Sequence, residues 1–113
     1  MSCVFCRIRD KEIPATFVHE DEHCLAFRDL NPQAPHHILV VPKKHIVSLN
    51  DVGPDDADML GALLLAAGKI ARAEGLADGG WRAVVNTGKD GGQSVFHIHV
   101  HVLGGRALGW PPG

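Results

Sequence analysis

The sequence has no excess of either charge and no long apolar run, and these absences exclude two kinds of partner. Its 113 residues carry 11 Lys and Arg against 13 Asp and Glu, a formal net charge of -2. A general nucleic-acid binder would show a basic excess or a basic stripe, so we expect no nucleic-acid partner. The longest apolar stretch, residues 60–67, contains a glycine and is far too short to cross a bilayer. We therefore expect no membrane partner.

Cysteine is scarce and odd in number, which argues against a disulfide-stabilised secreted protein. The three cysteines are Cys3, Cys6 and Cys24, and an odd number cannot pair into a closed disulfide framework. The N-terminal stretch contains charges within its first ten residues and has no apolar region typical of a signal peptide. We expect a cytoplasmic protein in which Cys24 is a core thiol without chemistry.

The pattern along the chain predicts one α+β domain over residues 1–113, because no repeat or linker divides it. A short N-terminal helix is expected within residues 1–10, and the main helix begins near Gly53 and ends near Gly75. Its apolar residues recur at three- and four-residue spacing. Strands are predicted over residues 15–20, 24–29, 36–42, 81–86 and 96–105. They form an antiparallel sheet of about five strands with uncovered edges, which favours a homodimer.

Three histidines alternate with aliphatic residues in the segment FHIHVHVLGG, at His97, His99 and His101. On a strand, alternate side chains point to opposite faces, so the histidines form a polar row backed by a buried aliphatic face. A merely polar strand face would be served equally well by Thr, Lys, Glu or Ser. The functional interpretations are a metal site and an anion site.

The spacing of the histidines favours the anion site. His97 and His101 lie about 13 Å apart along an extended strand, whereas zinc ligands lie about 2 Å from the metal. Two of the histidines could share a zinc ion, but all three could not easily do so. The glycine-rich loop over residues 87–94 lets backbone N–H groups converge on an oxyanion. Imidazoles supply the nucleophile, acid and donor that nucleotidyl transfer needs.

Other residues allow two interpretations each. Cys3 and Cys6 have a spacing that suits zinc, which would need two further ligands; with Val4 and Phe5 they could instead form an apolar plug with reduced thiols. Asp29 is either a turn-capping carboxylate or an acceptor for ribose hydroxyls. Three other residues also have an interpretation without function. Asn86 could be an ordinary asparagine at the end of a strand, His37 a core histidine, and Trp110 a packing anchor for the tail.

The histidine row resembles the motif of the histidine-triad (HIT) superfamily. The stretches CLAFRDLNPQAPHHILVVPKKHI and VVNTGKDGGQSVFHIHVHVLGGR and the ending WPPG resemble its histidine-triad nucleotide-binding (Hint) branch over nearly the whole chain. The resemblance implies a HIT-like α+β homodimer whose sheets join, with a nucleotide site on each protomer. It also implies hydrolysis of the P–N bond in purine nucleoside phosphoramidates and related adenylates, with AMP and GMP derivatives as ligands.

The resemblance also assigns roles to positions of this chain. It implies His99 as the nucleophile that forms a covalent nucleotidyl-histidine, supported by His97, His101, His37 and Ser94. The implied nucleotide-binding positions are Asp29, Leu30, Asn86, Gly92, Gln93, Ser94, His99, His101 and Trp110. No cofactor is needed for this chemistry, but some similar proteins hold a structural zinc, whose ligands here would be Cys3, Cys6, His45 and His97. The alternative functions are a nucleotide-binding regulatory module with vestigial catalysis and a zinc-dependent structural module.

Overall fold

The computed structural model describes residues 3–113, and its centre is a five-stranded antiparallel sheet. The elements in chain order are α1 (Val4–Arg9), β1 (Phe17–Glu20), β2 (Cys24–Arg28), β3 (His36–Pro42), α2 (Ala57–Ala73), β4 (Trp81–Val84) and β5 (Val100–Gly104). The strand order is β1-β2-β3-β5-β4. The predicted α+β class, with one main helix and a short N-terminal helix, is confirmed. No helix within residues 3–113 is long and apolar enough to cross a membrane.

Alternation along the strands gives the sheet two covered faces. On one face, α2 packs against small and aliphatic side chains of β2, β3 and β5, among them Ala26, Val40 and Val102. On the other face, Phe5 and Ile8 of α1 pack on a second apolar cluster, which contains Leu25, Phe27, Leu39 and Val41. Because Val100 and Val102 face α2, the histidines that alternate with them lie on the α1 face.

Three predicted strands are shorter in the structure. The histidine strand, predicted over residues 96–105, is Val100–Gly104, so His97 and His99 precede it. The segment before it is held by a bond of 2.7 Å from the Ile98 N–H to the Ile46 carbonyl, outside the ladder. The first and fourth strands, predicted over residues 15–20 and 81–86, are Phe17–Glu20 and Trp81–Val84. The remaining two agree with prediction to within one residue. Residues 1 and 2 of the predicted N-terminal turn lie outside the described part of the chain.

The core thiol predicted at position 24 is fully buried beneath α2. Burial, together with the neighbouring Asp21 carboxylate, raises the pKa of Cys24 to about 12. The thiol therefore stays protonated at neutral pH.

Candidate active site

A cavity of about 420 Å³ lies on the α1 face of the sheet. Its polar side is formed by His37 of β3, His101 of β5 and His99, which directly precedes β5. Its apolar wall comes largely from α1 and the segment after it, with Val4, Phe5, Ile8 and Ile13 among the lining residues. A cavity of this size, with an apolar wall and a few convergent polar groups, suits a small organic ligand.

His99 is held as a neutral imidazole with a defined tautomer. Its Nδ1 lies 2.7 Å from the backbone carbonyl oxygen of His97. A carbonyl only accepts, so Nδ1 carries the proton and Nε2 holds the lone pair. Burial lowers the pKa of His99, and this outweighs the hydrogen bond to the carbonyl, which acts in the opposite direction. The unprotonated Nε2 is the form that a nucleophile requires.

His37 and His101 form a hydrogen-bonded pair whose tautomers are also fixed. The backbone N–H of Gln33 donates to His37 Nδ1 over 3.0 Å, so the proton of neutral His37 is on Nε2. That Nε2–H donates to His101 Nδ1, 2.8 Å away, which places the proton of neutral His101 on its Nε2. Burial lowers the pKa of both rings, that of His101 to about 4. His101 can therefore offer a neutral N–H donor to a ligand in the cavity.

Asp29, Leu30 and Ser94 also line the cavity. One carboxylate oxygen of Asp29, Oδ1, accepts the Asn31 backbone N–H over 2.7 Å, as a turn-capping aspartate does. Its Oδ2 lies 3.5 Å from His37 Nε2 at the cavity. The two interpretations of Asp29 are therefore compatible, because one oxygen caps the turn and the other is available to a ligand. Leu30 and Ser94 are exposed side chains at the cavity's rim.

Four predicted nucleotide-binding residues do not line this cavity: Asn86, Gly92, Gln93 and Trp110. Asn86 donates its side-chain amide to the Gly91 carbonyl over 2.7 Å, and the Gly92 N–H donates to the Lys89 carbonyl. The side-chain amide of Gln93 donates to the Val47 carbonyl over 2.6 Å. These three residues hold the glycine-rich loop in shape. Trp110 is 82% exposed on the tail. Their contacts with a nucleotide stay predictions.

The loop before the histidines requires glycine for steric reasons. A Cβ added to Gly91 would lie 2.3 Å from the backbone carbonyl oxygen of Thr87. No real side chain tolerates that distance, so the backbone makes its tight approach only where the residue is glycine. The compact loop ends at Ser94, which lines the cavity together with His99.

The predicted zinc ligands also lie together in the structure. They are Cys3, Cys6, His45 and His97, which we call the four-ligand cluster, and their ligand atoms all lie within 4.8 Å of one another. His97 Nδ1 lies 3.4 Å from Cys3 Sγ, 3.6 Å from Cys6 Sγ and 3.1 Å from His45 Nδ1. Ligands of a tetrahedral zinc ion are about 3.3–3.8 Å apart, given zinc bonds of about 2.0–2.3 Å. The donor types and spacing therefore fit zinc.

The tautomer of His97 is suited to metal binding. Its Nε2 donates to the Pro42 carbonyl over 2.9 Å, which leaves the lone pair on Nδ1, the atom that faces the thiols. A carbonyl behind a ligating imidazole is the usual outer partner in zinc sites. Among the three triad histidines, His97 is thus directed to the four-ligand cluster and the other two to the cavity.

The aromatic ring between the two sites was not predicted as a site residue. Phe5 makes edge-on contacts with His99 and His97, at ring-centroid distances of 5.0 and 5.8 Å. The sequence carries one signal for it, an aromatic residue inside the CxxC pair. The Gln33 amide, which fixes the His37 tautomer, was also missed, because a backbone donor leaves no signal in side-chain type.

Comparisons with known proteins agree with this arrangement. A family model described as HIT domain matches residues 10–108. An uncharacterized HIT-like protein of Synechococcus elongatus is 54% identical, over 97% of this chain and 96% of its own length. The crystal structure of a HIT family hydrolase from Legionella pneumophila is 55% identical, covering 99% of this chain and 100% of that one, with a TM-score of 0.97.

A zinc-bound relative is also among the solved structures. The Zn-bound histidine triad family protein of Mycobacterium smegmatis is 37% identical, covers 100% of this chain and 81% of its own, and has a TM-score of 0.83. These similarities support a role in nucleotide binding or hydrolysis and fit a structural zinc. By the extent of the family match and the identity of its relatives, this chain belongs to the HIT-domain family.

Proposed function

We propose that this protein is a member of the histidine-triad nucleotide-binding branch and hydrolyses purine nucleoside phosphoramidates of the AMP-amine type. The observation that carries the proposal is the His99 imidazole, whose Nδ1–H is committed to the His97 carbonyl over 2.7 Å. Its lone pair is therefore on Nε2, in a cavity that also contains a carboxylate, a hydroxyl and a neutral N–H donor. This set of groups can bind a nucleotide and attack its phosphorus.

The reaction proceeds in two displacements. His99 Nε2 attacks the α-phosphorus, a P–N bond to the ring forms, and the P–N bond to the amine breaks. The Ser94 hydroxyl passes a proton from solvent to the departing nitrogen, so that the amine leaves in its neutral form. Water then attacks the nucleotidyl-histidine, which releases the nucleoside monophosphate and returns His99 to its neutral form. The His97 carbonyl stabilises the imidazolium that exists between the two displacements.

Other residues of the cavity recognise the nucleotide. His101 Nε2–H donates to a nonbridging phosphate oxygen, where charge develops in the transition state. Asp29 Oδ2 accepts hydrogen bonds from the ribose hydroxyls, and Leu30 contacts the nucleotide near its base. The base packs on the apolar wall, since Ile8, Phe27 and Leu39 line the same cavity. From the resemblance to the Hint branch, we propose purine monophosphates such as AMP and GMP as the ligands.

Adenosine 5′-phosphoramidate tests the proposal. We expect the protein to release AMP from this compound. When samples are quenched without acid, we expect mass spectrometry to find an adenylyl group on His99. Tight AMP binding without turnover across amides of different amines would contradict the proposal and select the nucleotide-binding regulatory module instead. Absence of AMP binding would reject both.

The pH profile follows from the state of His99. Because burial lowers its pKa, the ring stays neutral as pH falls to its ordinary value of about 6.5. We expect kcat/KM to hold down to that pH and to decrease below it, as protonation removes the Nε2 lone pair. Rates measured between about pH 4 and pH 8, with circular dichroism at each point, check this. An acid limb centred above about pH 6.5 would contradict it.

We also propose that the four-ligand cluster holds a structural zinc, which crosslinks α1 to the histidine segment and takes no part in the chemical steps. The cysteines Cys3 and Cys6 are free, as suits the cytoplasmic location that we propose. We expect metal analysis to find about one zinc per chain. Cys3→Ser should reduce this strongly, whereas Cys24→Ala, which alters a thiol outside the cluster, should not. Equal zinc in Cys3→Ser and wild type would reject the site.

We propose further that the protein is a homodimer whose sheets join. The pairing of β1 with β2 is interrupted by a register shift between Phe17 and His19. By contrast, β4 pairs regularly with β5, and within the described residues no strand pairs with its other edge. Leu64 and Leu65 of α2, which are 59% and 77% exposed, also favour a partner. In this dimer Trp110 approaches the partner's active site.

Light scattering checks the assembly. We expect a mass of about twice the chain's 12.1 kDa at micromolar concentration. Leu65→Glu should weaken association by at least about tenfold, because it places a charge beside Leu64 on the exposed apolar surface of α2. A monomeric wild type would overturn the proposal.

A further inference from the structure

We propose that metal binding at the four-ligand cluster is coupled to nucleotide binding in the neighbouring cavity. In this proposal Cys3, Cys6 and His45 are positioning residues for the nucleotide site, acting through α1 and His97. The inference rests on the proposed function and on the proposed zinc. It goes beyond both, because a structural zinc alone need not alter ligand affinity.

The first physical connection runs through His97. Its ring is fully buried and belongs to the four-ligand cluster, while its backbone carbonyl accepts the Nδ1–H of His99 over 2.7 Å. The ring is also tied to the Pro42 carbonyl. The ring and the carbonyl belong to one residue, and the carbonyl sets the tautomer and orientation of His99. A metal bound to the ring would therefore restrain the backbone on which His99 depends.

The second connection runs through α1. Cys3 caps this helix and Cys6 lies within it, and the same helix supplies Val4, Phe5 and Ile8 to the cavity wall. α1 has only six residues, and a helix this short is not stable by itself. It is held by apolar packing of Phe5 and Ile8, by a bond from Arg9 to the Lys43 carbonyl, and by the contacts of the cluster.

The two connections meet at one side chain. The Phe5 ring contacts both His97 and His99 edge-on and also lines the cavity. Within the cluster, thiol and imidazole contacts of 3.1–3.6 Å join α1, His45 and His97. A bound metal would replace these contacts by one bond to each of the four residues, and would so hold the wall that carries Phe5 against the histidines.

Coupling between two binding sites is reciprocal. If zinc raises the affinity for AMP by some factor, AMP must raise the affinity for zinc by the same factor. We expect about tenfold, within the usual range for coupled sites. A metal that merely stabilised the folded chain would raise its melting temperature, but it would not produce this matched pair of factors.

The experiment measures both affinities on the whole protein. Calorimetry gives the Kd of AMP for zinc-loaded and chelator-stripped wild type, and competition with a zinc chelator gives the zinc affinity with and without AMP. His45→Ala removes a metal ligand that does not line the nucleotide cavity, and should reproduce the weak AMP binding of the stripped protein. His45→Cys restores a four-ligand set of a type that zinc accepts and should restore tight AMP binding. His23→Ala, an exposed histidine outside both sites, is the matched control.

The outcomes separate this inference from the proposed function. AMP affinities within twofold of each other in zinc-loaded and stripped wild type would overturn the coupling while leaving the nucleotide site intact. No binding of zinc at all would also overturn it. If zinc-loaded protein failed to bind AMP, the proposed function would fall together with the coupling. Tighter AMP binding with zinc, matched by tighter zinc binding with AMP, supports it.

Discussion

His99→Ala is expected to lower the turnover of adenosine 5′-phosphoramidate by at least about 10⁴-fold, since no covalent intermediate can form without the nucleophile. AMP should still bind, because the wall of the cavity, Asp29 and His101 remain. Steady-state release of the amine measures the rate. The expectation is large because loss of a nucleophile removes the reaction path itself, and not one of several stabilising contacts.

A neighbouring histidine provides the control for that variant. His36 lies next to His37 on β3, does not line the cavity, and has its Nδ1 3.0 Å from Glu74 Oε1. His36→Ala should retain the wild-type rate within about twofold. His101→Ala should fall between the two, at about 10²–10³-fold, because it removes one donor to the transition state. A folded His99→Ala protein with the wild-type rate would end the nucleophile assignment.

Phe5→Ala should produce the largest loss of stability, about 3–5 kcal/mol in the free energy of unfolding. The ring is 5% exposed and contacts Phe27 at a centroid distance of 5.5 Å as well as the two site histidines. Removal of the ring leaves a cavity between α1 and the sheet, next to the proposed nucleotide site. We expect AMP affinity to fall together with stability. Urea unfolding and AMP calorimetry on the same samples measure both.

A more conservative change at the same position separates the effect of the volume of the Phe5 side chain from the effect of its aromatic ring. Phe5→Leu refills much of the space and should cost about 1–2 kcal/mol. A loss below about 1 kcal/mol for Phe5→Ala would contradict the prediction, since it would mean that the wall detaches without disturbing the sheet.

Much of the fold could be predicted because its signals are local. The short apolar run in HHILVVP, which Pro42 ends, predicts β3 to the residue, and the apolar stripe at helical spacing predicts α2. The order of the sheet carries no such signal: β5 lies between β3 and β4, and only packing of distant segments decides that. The start of the histidine strand differs from prediction for the same reason, since the Ile98–Ile46 bond is a long-range contact.

The site was predictable where side-chain type carries the chemistry. The histidine row and the CxxC pair lie in two adjoining sites that share the segment from His97 to His101. The sequence does not reveal which loop amides are free, and the Gly92 N–H and the Gln93 N–H both bond within their own loop, to Lys89 and Gly88. Nor does it reveal that Gln33 donates to His37, because that depends on how one turn folds back on β3.

The fixed tautomers of the His37–His101 pair have a consequence for product release. The cavity offers the phosphate oriented but uncharged donors, and Arg28, which also lines it, is paired with Glu74 at 2.8 Å. A phosphoramidate substrate carries one negative charge on its phosphorus group, whereas the monophosphate product carries nearly two. A site without a free countercharge, with the Asp29 carboxylate at its edge, gives no added stabilisation to the second charge. In the proposed mechanism, hydrolysis of the nucleotidyl-histidine thus adds a charge for which the site has no partner, and this promotes departure of the product.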